Sequence, residues 1–346
     1  MSNKASLLLI YTGGTIGMKQ DSKTGALKPF DFKGIMDEVP ELSKFAYKID
    51  SVSFDPIIDS SDVEPSLWKD IALMIQSNYS GYDGFVVLHG TDTMAYSASA
   101  LSFMLENLAK PVIFTGSQLP IGVPRTDGKE NLISSVEIAA EQDADGNARV
   151  PEVCICFDNT LMRGNRTTKL SSDRFNAFIS PNLPPLATAG INIEYNDSII
   201  RHTGKSSANY LKINTLLDTR VGMLKIHPGI TPELVSDVLL GNSTRAIIME
   251  TYGSGNAPSR SWFLDVVGEA VQCGKIIVNI TQCLSGAVNM GLYANGKALE
   301  DVGVVSGGDM TTESALAKLF YLMGKSNDNK EVIRNFKENL RGEMQK

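Results

Sequence analysis

The stretch SLLLIYTGGTIG, residues 6–17, indicates the fold class of this chain. Its first half is apolar throughout, which is typical of a strand buried on both faces, and its second half is a loop with three glycines. Similar apolar runs predict strands at residues 84–89, 111–115 and 153–157. Helical spacing of apolar residues predicts helices between them, at residues 66–79, 92–108 and 128–141. This alternation predicts a mostly parallel sheet with helices on both faces.

The chain length agrees with two domains, because 346 residues exceed the size at which a single core stops growing, and domains average roughly 150 residues. Residues 182–218 are polar and rich in turn formers, and a second alternation of strands and helices follows them. The elements predicted there are strands at 221–226, 245–249 and 275–281 and helices at 231–240, 259–272 and 312–323. We therefore expect an N-terminal α/β domain at 1–190, a linker at 191–219 and a smaller C-terminal α/β domain at 220–346.

The composition excludes several classes of protein. With 32 basic and 39 acidic residues the net charge is −7, which disfavours nucleic acid as a partner, and no apolar run is long enough to span a membrane. The apolar stretch near the N-terminus is too short for a signal peptide. Four cysteines without a C-x-x-C pair and three histidines are poor material for a zinc site. We expect a cytoplasmic protein with no metal, no nucleic-acid partner and no membrane association.

A site in such a fold lies at the carboxyl ends of the parallel strands. Thr15 follows the first strand on the glycine loop, where its hydroxyl can serve as a nucleophile beside backbone N–H groups that hold an oxyanion. A tight turn with Thr15 as a local cap explains the same residues, and the loop alone does not decide between the two. The loop matches neither of the glycine patterns that bind phosphate.

The second strand ends in HGTDT, residues 89–93, which offers more capping residues than one helix needs. We interpret Thr91 and Asp92 as facing a crevice, and His89, the last residue of a buried strand, as structural. A hydroxyl becomes a nucleophile only beside a base. Lys169 lies in the basic stretch 161–169, which by default is a solvated loop. Alternatively Lys169 folds in beside Thr91 and Asp92 and takes up a hydroxyl proton.

Three further polar segments permit both a structural and a functional interpretation. The stretch DSSD, residues 59–62, enters a helix, and its hydroxyls can also hold a ligand carboxylate. In the second domain the stretches YGSGN, residues 252–256, and TQC, residues 281–283, follow strands. Both are ordinary turn sequences, so the residues alone leave their role open.

Taken together, nine motifs occur in one order along almost the whole chain. They are YTGGTIGM (11–18), DSSD (59–62), LHGTDTMAYSASALSFMLENL (88–108), TGSQLP (115–120), RGNRTTK (163–169), SPNLPPL (180–186), TYGSGNAP (251–258), NITQCLSGAVNMG (279–291) and GGDMT (307–311). This set resembles the bacterial type I, cytoplasmic L-asparaginases. The resemblance implies a flavodoxin-like N-terminal domain, a smaller C-terminal α/β domain, and a homotetramer of intimate dimers with the site between subunits. It implies hydrolysis of L-asparagine through a threonine acyl-enzyme, with no cofactor.

The resemblance also implies roles for individual residues. Thr15 matches the nucleophile, and Thr91, Asp92 and Lys169 match the second threonine and its partners. The substrate-binding positions that it implies are Ser60, Ser61, Gly90, Thr91, Asp92, Ser117 through its backbone, and Asn256, which reaches the neighbouring subunit's site.

The chain departs from the family pattern at two positions. The family carries a tyrosine on the loop after the glycine loop as an activating partner, whereas GALKP, residues 25–29, has none, with Ala26 in that region. The group that activates Thr15 is therefore left open. Some members bind asparagine at a regulatory site that includes an arginine, and Glu250 occupies that position. A carboxylate does not pair with an effector carboxylate, so this regulation is not expected to carry over.

Three rival functions are considered. A glutaminase-asparaginase differs in a substrate longer by one methylene, worth about 1–3 kcal/mol in an apolar pocket, which sequence does not reveal. The amidase subunit of a tRNA-dependent amidotransferase shares the core, but such a subunit binds tRNA, and the acidic composition of this chain disfavours binding to nucleic acid. A non-catalytic amino-acid or nucleotide-binding module would not need Thr15, Thr91 and Lys169 together.

Overall fold

The computed structural model of the chain describes residues 5–20, 27–29, 37–202, 210–292 and 294–345. The chain divides into two compact units, Met1–Thr215 and Leu216–Lys346. The division lies inside residues 191–219, the stretch that the sequence predicts as a linker.

The first unit contains the described helices α1 (Pro65–Asn78), α2 (Met94–Met104) and α3 (Gly128–Ala140). Its described strands are β1 (Ser6–Tyr11), β2 (Met18–Gln20), β3 (Leu27–Pro29), β4 (Lys48–Ser53), β5 (Gly84–Leu88), β6 (Leu105–Glu106), β7 (Val112–Thr115), β8 (Val153–Phe157), β9 (Thr160–Arg163), β10 (Thr168–Lys169), β11 (Phe178–Ile179), β12 (Ala187–Ala189), β13 (Ile193–Tyr195) and β14 (Lys212–Ile213).

Eight of these strands form one sheet in the order β13-β12-β9-β8-β7-β5-β1-β4. The five strands from β8 to β4 are parallel, and β9, β12 and β13 extend the sheet in antiparallel fashion. Numbered along the chain, the parallel part has the order 2-1-3-4-5 of a flavodoxin-like sheet. The predicted fold class is confirmed.

Burial on both faces of the sheet explains why the central strands could be predicted. Leu7 to Tyr11 of β1 and all of β5 are buried. On one face, Leu7 and Leu9 belong to a cluster with Leu132 and Val136 of α3. Strand β4, Lys48–Ser53, lies at the edge of the sheet, and its residues are exposed or half-buried. It was not predicted, because it lacks a continuous apolar run.

Two predictions about the first unit are wrong in detail. Helix α2 ends at Met104 rather than 108, because the next two residues pair with β14 and Asn107 takes a positive φ of 60°. The default interpretation of residues 161–169 as a solvated loop is also wrong. Arg163 lies in β9 and is 5% exposed, and its guanidinium binds the buried Glu152 carboxylate at 2.5 and 3.0 Å, which neutralises both charges.

The second unit is a smaller α/β unit, as predicted. Its described strands are β15 (Val221–Lys225), β16 (Ala246–Thr251), β17 (Ile276–Thr281) and β18 (Val305–Ser306), which form a parallel sheet in that order. Its described helices are α4 (Pro232–Leu240), α5 (Ser261–Gln272), α6 (Ala294–Asp301), α7 (Thr312–Lys325) and α8 (Asn329–Phe336). Of these elements, β18, α6 and α8 were not predicted. No helix within the described parts of the chain is long and apolar enough to cross a membrane.

Candidate active site

The loops after β1 and β5 touch at two glycines. A Cβ atom on Gly14 would lie 2.5 Å from the Cα and N atoms of Gly90, so neither loop tolerates a side chain at the contact. Gly14 also has a φ of 93°, which glycine adopts readily. Because Thr15 follows Gly14 and Thr91 follows Gly90, the contact places the two threonines on adjoining loops. Thr15 opens a short 3₁₀ turn and is half-buried.

The DSSD segment packs against the same place. The buried Ser60 accepts a hydrogen bond from the backbone N–H of Asp92 at 3.4 Å on its hydroxyl and one from the Thr93 hydroxyl at 2.7 Å on its carbonyl. Ser61 is exposed and donates its N–H and its hydroxyl to Asp59, at 2.9 and 2.8 Å. These two bonds lower the pKa of the Asp59 carboxyl. Ser60 therefore holds the loop of Asp92, while Asp59 and Ser61 shape their own turn.

Lys169 reaches Thr91 and Asp92 across 77–78 residues of sequence. Its Nζ donates to Thr91 Oγ1 at 2.9 Å and to Asp92 Oδ1 at 2.6 Å. Lys169 ends β10, which pairs with β11 in a short antiparallel hairpin, and its side chain is 18% exposed. The Asp92 carboxylate is 62% exposed, which leaves it open to a ligand cation. The structure thus brings together the three side chains that the sequence placed beside each other in its second interpretation of Lys169.

His89 has a structural role, as expected. Its ring is fully buried, with Nδ1 2.7 Å from the carbonyl of Gly90 and Nε2 3.0 Å from the Ser97 hydroxyl. A carbonyl only accepts, so Nδ1 carries the proton, Nε2 accepts from Ser97, and Trp68 donates to Ser97 at 2.9 Å. Burial lowers the pKa of His89 to about 4. A neutral ring with both nitrogens bound positions Gly90 and is not placed to transfer a substrate proton.

The loop after β7 contains the predicted Ser117 and two further residues, Gln118 and Asp127, that sequence reasoning missed. The buried Ser117 donates its hydroxyl to the carbonyl of Leu119 at 2.5 Å, so that the hydroxyl proton is not available to a ligand. The Asp127 carboxylate accepts from the backbone N–H groups of Gln118 and Leu119 at 3.0–3.1 Å. Gln118 in turn accepts from Thr91 Oγ1 at 3.3 Å. The sequence signal for Gln118 and Asp127 was a cluster of polar residues after a third parallel strand, TGSQ at 115–118 and TDG at 126–128.

This loop also adjoins the nucleophile's turn. A Cβ atom on Gly128, at the start of α3, would lie 3.2 Å from Cβ of Ser117 and 3.4 Å from Cγ1 of Ile16. Ile16 follows Thr15 directly. The carboxyl ends of β1, β5 and β7 therefore gather the segments of Thr15, Thr91 and Ser117 at one edge of the sheet.

Asn256 lies in the second unit, in a tight loop after β16. Its backbone exchanges hydrogen bonds with Tyr252 at 2.8 and 2.9 Å. The buried Asn279 supports the loop, since its amide donates to the carbonyl of Gly255 at 3.1 Å and its oxygen accepts from Thr251 at 2.7 Å. Asn256 is therefore held on a rigid turn of that unit.

Glu250, in the same unit, is already bonded within the protein. Its carboxylate accepts from the Thr312 hydroxyl at 2.9 Å and lies 3.4 Å from Lys225 Nζ. Both contacts suit an anion. They explain how the departure from the family's arginine is accommodated at this position.

The sequence GALKP, residues 25–29, in which the activating tyrosine is missing, is described only at Leu27–Pro29, so Gly25 and Ala26 lie outside the described residues. Phe30, the aromatic residue that follows this stretch, also lies outside them. Tyr11, the other nearby aromatic, lies in β1 and is 2% exposed, and burial raises the pKa of its hydroxyl to about 12. Within the described part of the chain, no cluster of three or more His, Cys, Asp or Glu residues could hold a metal ion. The side chains gathered at this edge of the sheet offer hydroxyls, one amine and one carboxylate.

Comparisons with known proteins find similar sequences over almost the whole chain. A family model described as "Asparaginase, N-terminal" matches residues 6–201, and one described as "Glutaminase/Asparaginase C-terminal domain" matches residues 220–336. L-asparaginase 1 of Escherichia coli (strain K12) is 44% identical over 347 residues, which cover 99% of this chain and 98% of that protein.

Two further relatives extend the comparison. A protein of Mus musculus called 60 kDa lysophospholipase is 42% identical over 374 residues, 99% of this chain and 63% of its own length. The crystal structure of L-asparaginase I from Vibrio cholerae O1 biovar eltor str. N16961 matches with a TM-score of 0.90 and 44% identity, covering 99% of this chain and 100% of that one.

Proposed function

The chain belongs to the asparaginase family, and we propose that it cleaves L-asparagine through a covalent ester on Thr15. It is an L-asparaginase, an amidohydrolase whose products are L-aspartate and ammonia. The observation that supports the threonine mechanism best is the pair of hydrogen bonds from Lys169 to Thr91 and Asp92, beside the loop that carries Thr15.

In the first half-reaction, Thr15 Oγ1 forms a bond to the amide carbon of the substrate and the carbon–nitrogen bond breaks. The hydroxyl proton leaves with the nitrogen, so that ammonia departs and an ester of Thr15 remains. Backbone N–H groups of the glycine loop are suited to stabilise the oxyanion that precedes this step.

In the second half-reaction, water attacks the ester, the carbon–oxygen bond to Thr15 breaks, and a proton returns to its hydroxyl. Thr91 and Lys169 supply the path for protons, because the amine holds the Thr91 oxygen at 2.9 Å and is itself held by Asp92 at 2.6 Å. Asp92 stabilises the charged form of Lys169 that results when the amine takes up a proton through Thr91.

The ends of the substrate bind to groups on the DSSD and HGTDT segments. The exposed carboxylate of Asp92 is suited to the α-ammonium group, and the Ser60 hydroxyl, which accepts from the Asp92 N–H, is suited to donate its proton to the α-carboxylate. Ser61 is the second proposed contact, and its donors would exchange Asp59 for the substrate. Gly90 leaves room against Ser60, since a Cβ atom there would lie 2.5 Å from Ser60 Oγ. The backbone of Ser117 is the proposed contact to the side-chain amide.

The function is tested by measuring ammonia released from asparagine and from glutamine by the purified protein. We expect a higher kcat/KM for asparagine than for glutamine, by a factor of about 10–200 if the pocket discriminates between the two by their difference of one methylene group. A preference for glutamine would instead support the broader glutaminase-asparaginase, and release of ammonia from neither amide would contradict the proposal.

The proton path is tested separately with Lys169→Met. Loss of a positioned acid–base group costs a factor of about 10²–10⁴ in rate, so we expect kcat to fall at least a hundredfold. Lys297→Met is the matched control, since the ion pairs of Lys297 with Glu300 and Asp301 are exposed and lie in the second unit. Parental turnover by Lys169→Met would remove that lysine from the mechanism.

We further propose that the chain acts in the cytoplasm as a homotetramer of intimate dimers, in which Asn256 completes the neighbouring subunit's site. The support for the assembly is the family resemblance. The cytoplasmic location is supported by four unpaired cysteines, two of them buried in β8, which suit a reducing compartment.

A further inference from the structure

Gln118 joins three segments of the first unit through hydrogen bonds. Its backbone N–H donates to the Asp127 carboxylate at 3.0–3.1 Å, and its side-chain Nε2 donates to the carbonyl of Arg174 at 3.1 Å. Its Oε1 accepts from Thr91 Oγ1 at 3.3 Å. The segment of Arg174 lies between β10, which carries Lys169, and β11.

These partners decide which way the side-chain amide faces. The carbonyl of Arg174 is an acceptor only, so the nitrogen of the amide must face it and the oxygen must face Thr91. The Oε1 atom of Gln118 is therefore a fixed acceptor for the Thr91 hydroxyl.

A fixed acceptor determines the direction of the Thr91 proton. The hydroxyl has one proton and two lone pairs, and the Lys169 ammonium donates to one lone pair at 2.9 Å. The ammonium cannot accept, so the proton points to Gln118 and the second lone pair faces a different direction. Thr91 thereby keeps an acceptor lone pair for a donor in the site, such as a water molecule.

We propose that Gln118 is a positioning residue that orients the Thr91 hydroxyl so that it presents an acceptor lone pair to the reacting centre. The inference rests on the proposed role of Thr91 in proton transfer. Gln118 acts through Thr91 and through the hairpin that carries Lys169. Its two side-chain hydrogen bonds therefore fix the positions of Thr91 and of the Lys169 segment relative to each other.

The experiment compares three variants by steady-state ammonia release from asparagine. Gln118→Met keeps the length of the side chain without its hydrogen bonds, and we expect kcat to fall about three- to tenfold, the equivalent of one neutral hydrogen bond, with KM within about twofold. Gln118→Glu keeps an acceptor for Thr91 and loses the donor to Arg174, so its kcat should exceed that of the Met variant. Gln76→Met, on the exposed surface of α1, is the control with parental kcat.

Thermal melting shows whether each variant is folded, and Thr91→Val is assayed in parallel. Parental kcat in Gln118→Met would overturn the inference, as would equal losses in the Met and Glu variants, which would indicate a bond to Arg174 alone. If Thr91→Val turns over like the parent, the proposed function of Thr91 fails. If Thr91→Val is inactive and Gln118→Met is not impaired, only the role of Gln118 fails.

Discussion

At the scale of residues, the proposed chemistry depends on polar side chains that hydrogen bonds hold in place. Thr91 contacts Lys169 and Gln118, and the Lys169 amine is held in turn by Asp92. The sequence offered Thr91 and Asp92 through their excess over what a helix cap needs. It could not decide on Lys169, because a basic stretch after a strand is equally typical of a loop, and only the β10–β11 hairpin turns that amine inward.

His89 leads to a prediction about stability and pH. Its pKa is lowered from 6.5 to about 4 by burial, so between these values the unfolded chain binds a proton that the folded chain does not. The free energy of unfolding therefore has the full contribution of His89 above pH 6.5 and loses it as the pH falls toward 4, by about 1.4 kcal/mol per pH unit.

Urea unfolding of His89→Gln at pH 7, 6 and 5 checks this expectation. The variant should be less stable than the parent at pH 7. Between pH 6.5 and 5, however, its free energy of unfolding should fall less steeply with pH, by a slope that corresponds to nearly one proton. His227→Gln, at an exposed histidine, should keep the parental slope. An unchanged slope in His89→Gln would show that the buried ring does not resist protonation.

At the scale of elements, the start of α3 organises the loop after β7. Asp127 accepts from the backbone N–H groups of Gln118 and Leu119 and from Asn131 Nδ2 at 3.2 Å. Asn131 also donates to the carbonyl of Gly116 at 3.0 Å. One carboxylate and one amide at the N-terminal end of a helix thus fix the loop that contains Ser117.

Asp127→Ala is expected to lower both stability and activity. It leaves three donors without their acceptor, at about 1–3 kcal/mol for each that stays buried, and it loosens the loop next to Thr91. The free energy of unfolding in urea and kcat for asparagine measure the two effects. Asp143→Ala is the control, because Asp143 holds a remote turn through the N–H groups of Asp145 and Asn147, so its variant should keep parental kcat. Equal kcat in both variants would contradict the account.

Elements differed in how well they could be predicted, for physical reasons. The buried strands β1 and β8 were predicted with their observed ends, since both lie in the sheet interior and are apolar throughout. Strand β9 was missed because it follows β8 after a turn at Asp158 and Asn159. These residues have positive φ angles of 48° and 59°, which a hydrophobic pattern does not predict. The strand that carries Lys169 has only two residues, and no apolar run marks it.

At the scale of the whole molecule, the proposed site residues are distributed over the two α/β units. The segments of Thr15, Thr91 and Lys169 belong to the first unit and Asn256 to the second. The chain length and the alternation of strands and helices were sufficient to predict two α/β units. The arrangement of subunits is a property of surfaces, which the pattern of buried residues does not encode.

Light scattering after size-exclusion chromatography tests the proposed assembly. We expect a mass of four chains of 37.5 kDa each. Dilution to the point of dissociation should abolish ammonia release, because each site needs Asn256 of a neighbour. A fully active single chain would contradict the shared site.

The central claim is that the Thr15 hydroxyl forms the covalent bond to the substrate. The most direct measurement is the kcat for ammonia release by Thr15→Ser and Thr15→Val, two substitutions of similar size at a half-buried position. The serine variant keeps the attacking oxygen and should retain measurable turnover, whereas the valine variant, which replaces the hydroxyl by a methyl group, should lose activity by about 10³-fold or more. Parental turnover by Thr15→Val would show that another group attacks the amide.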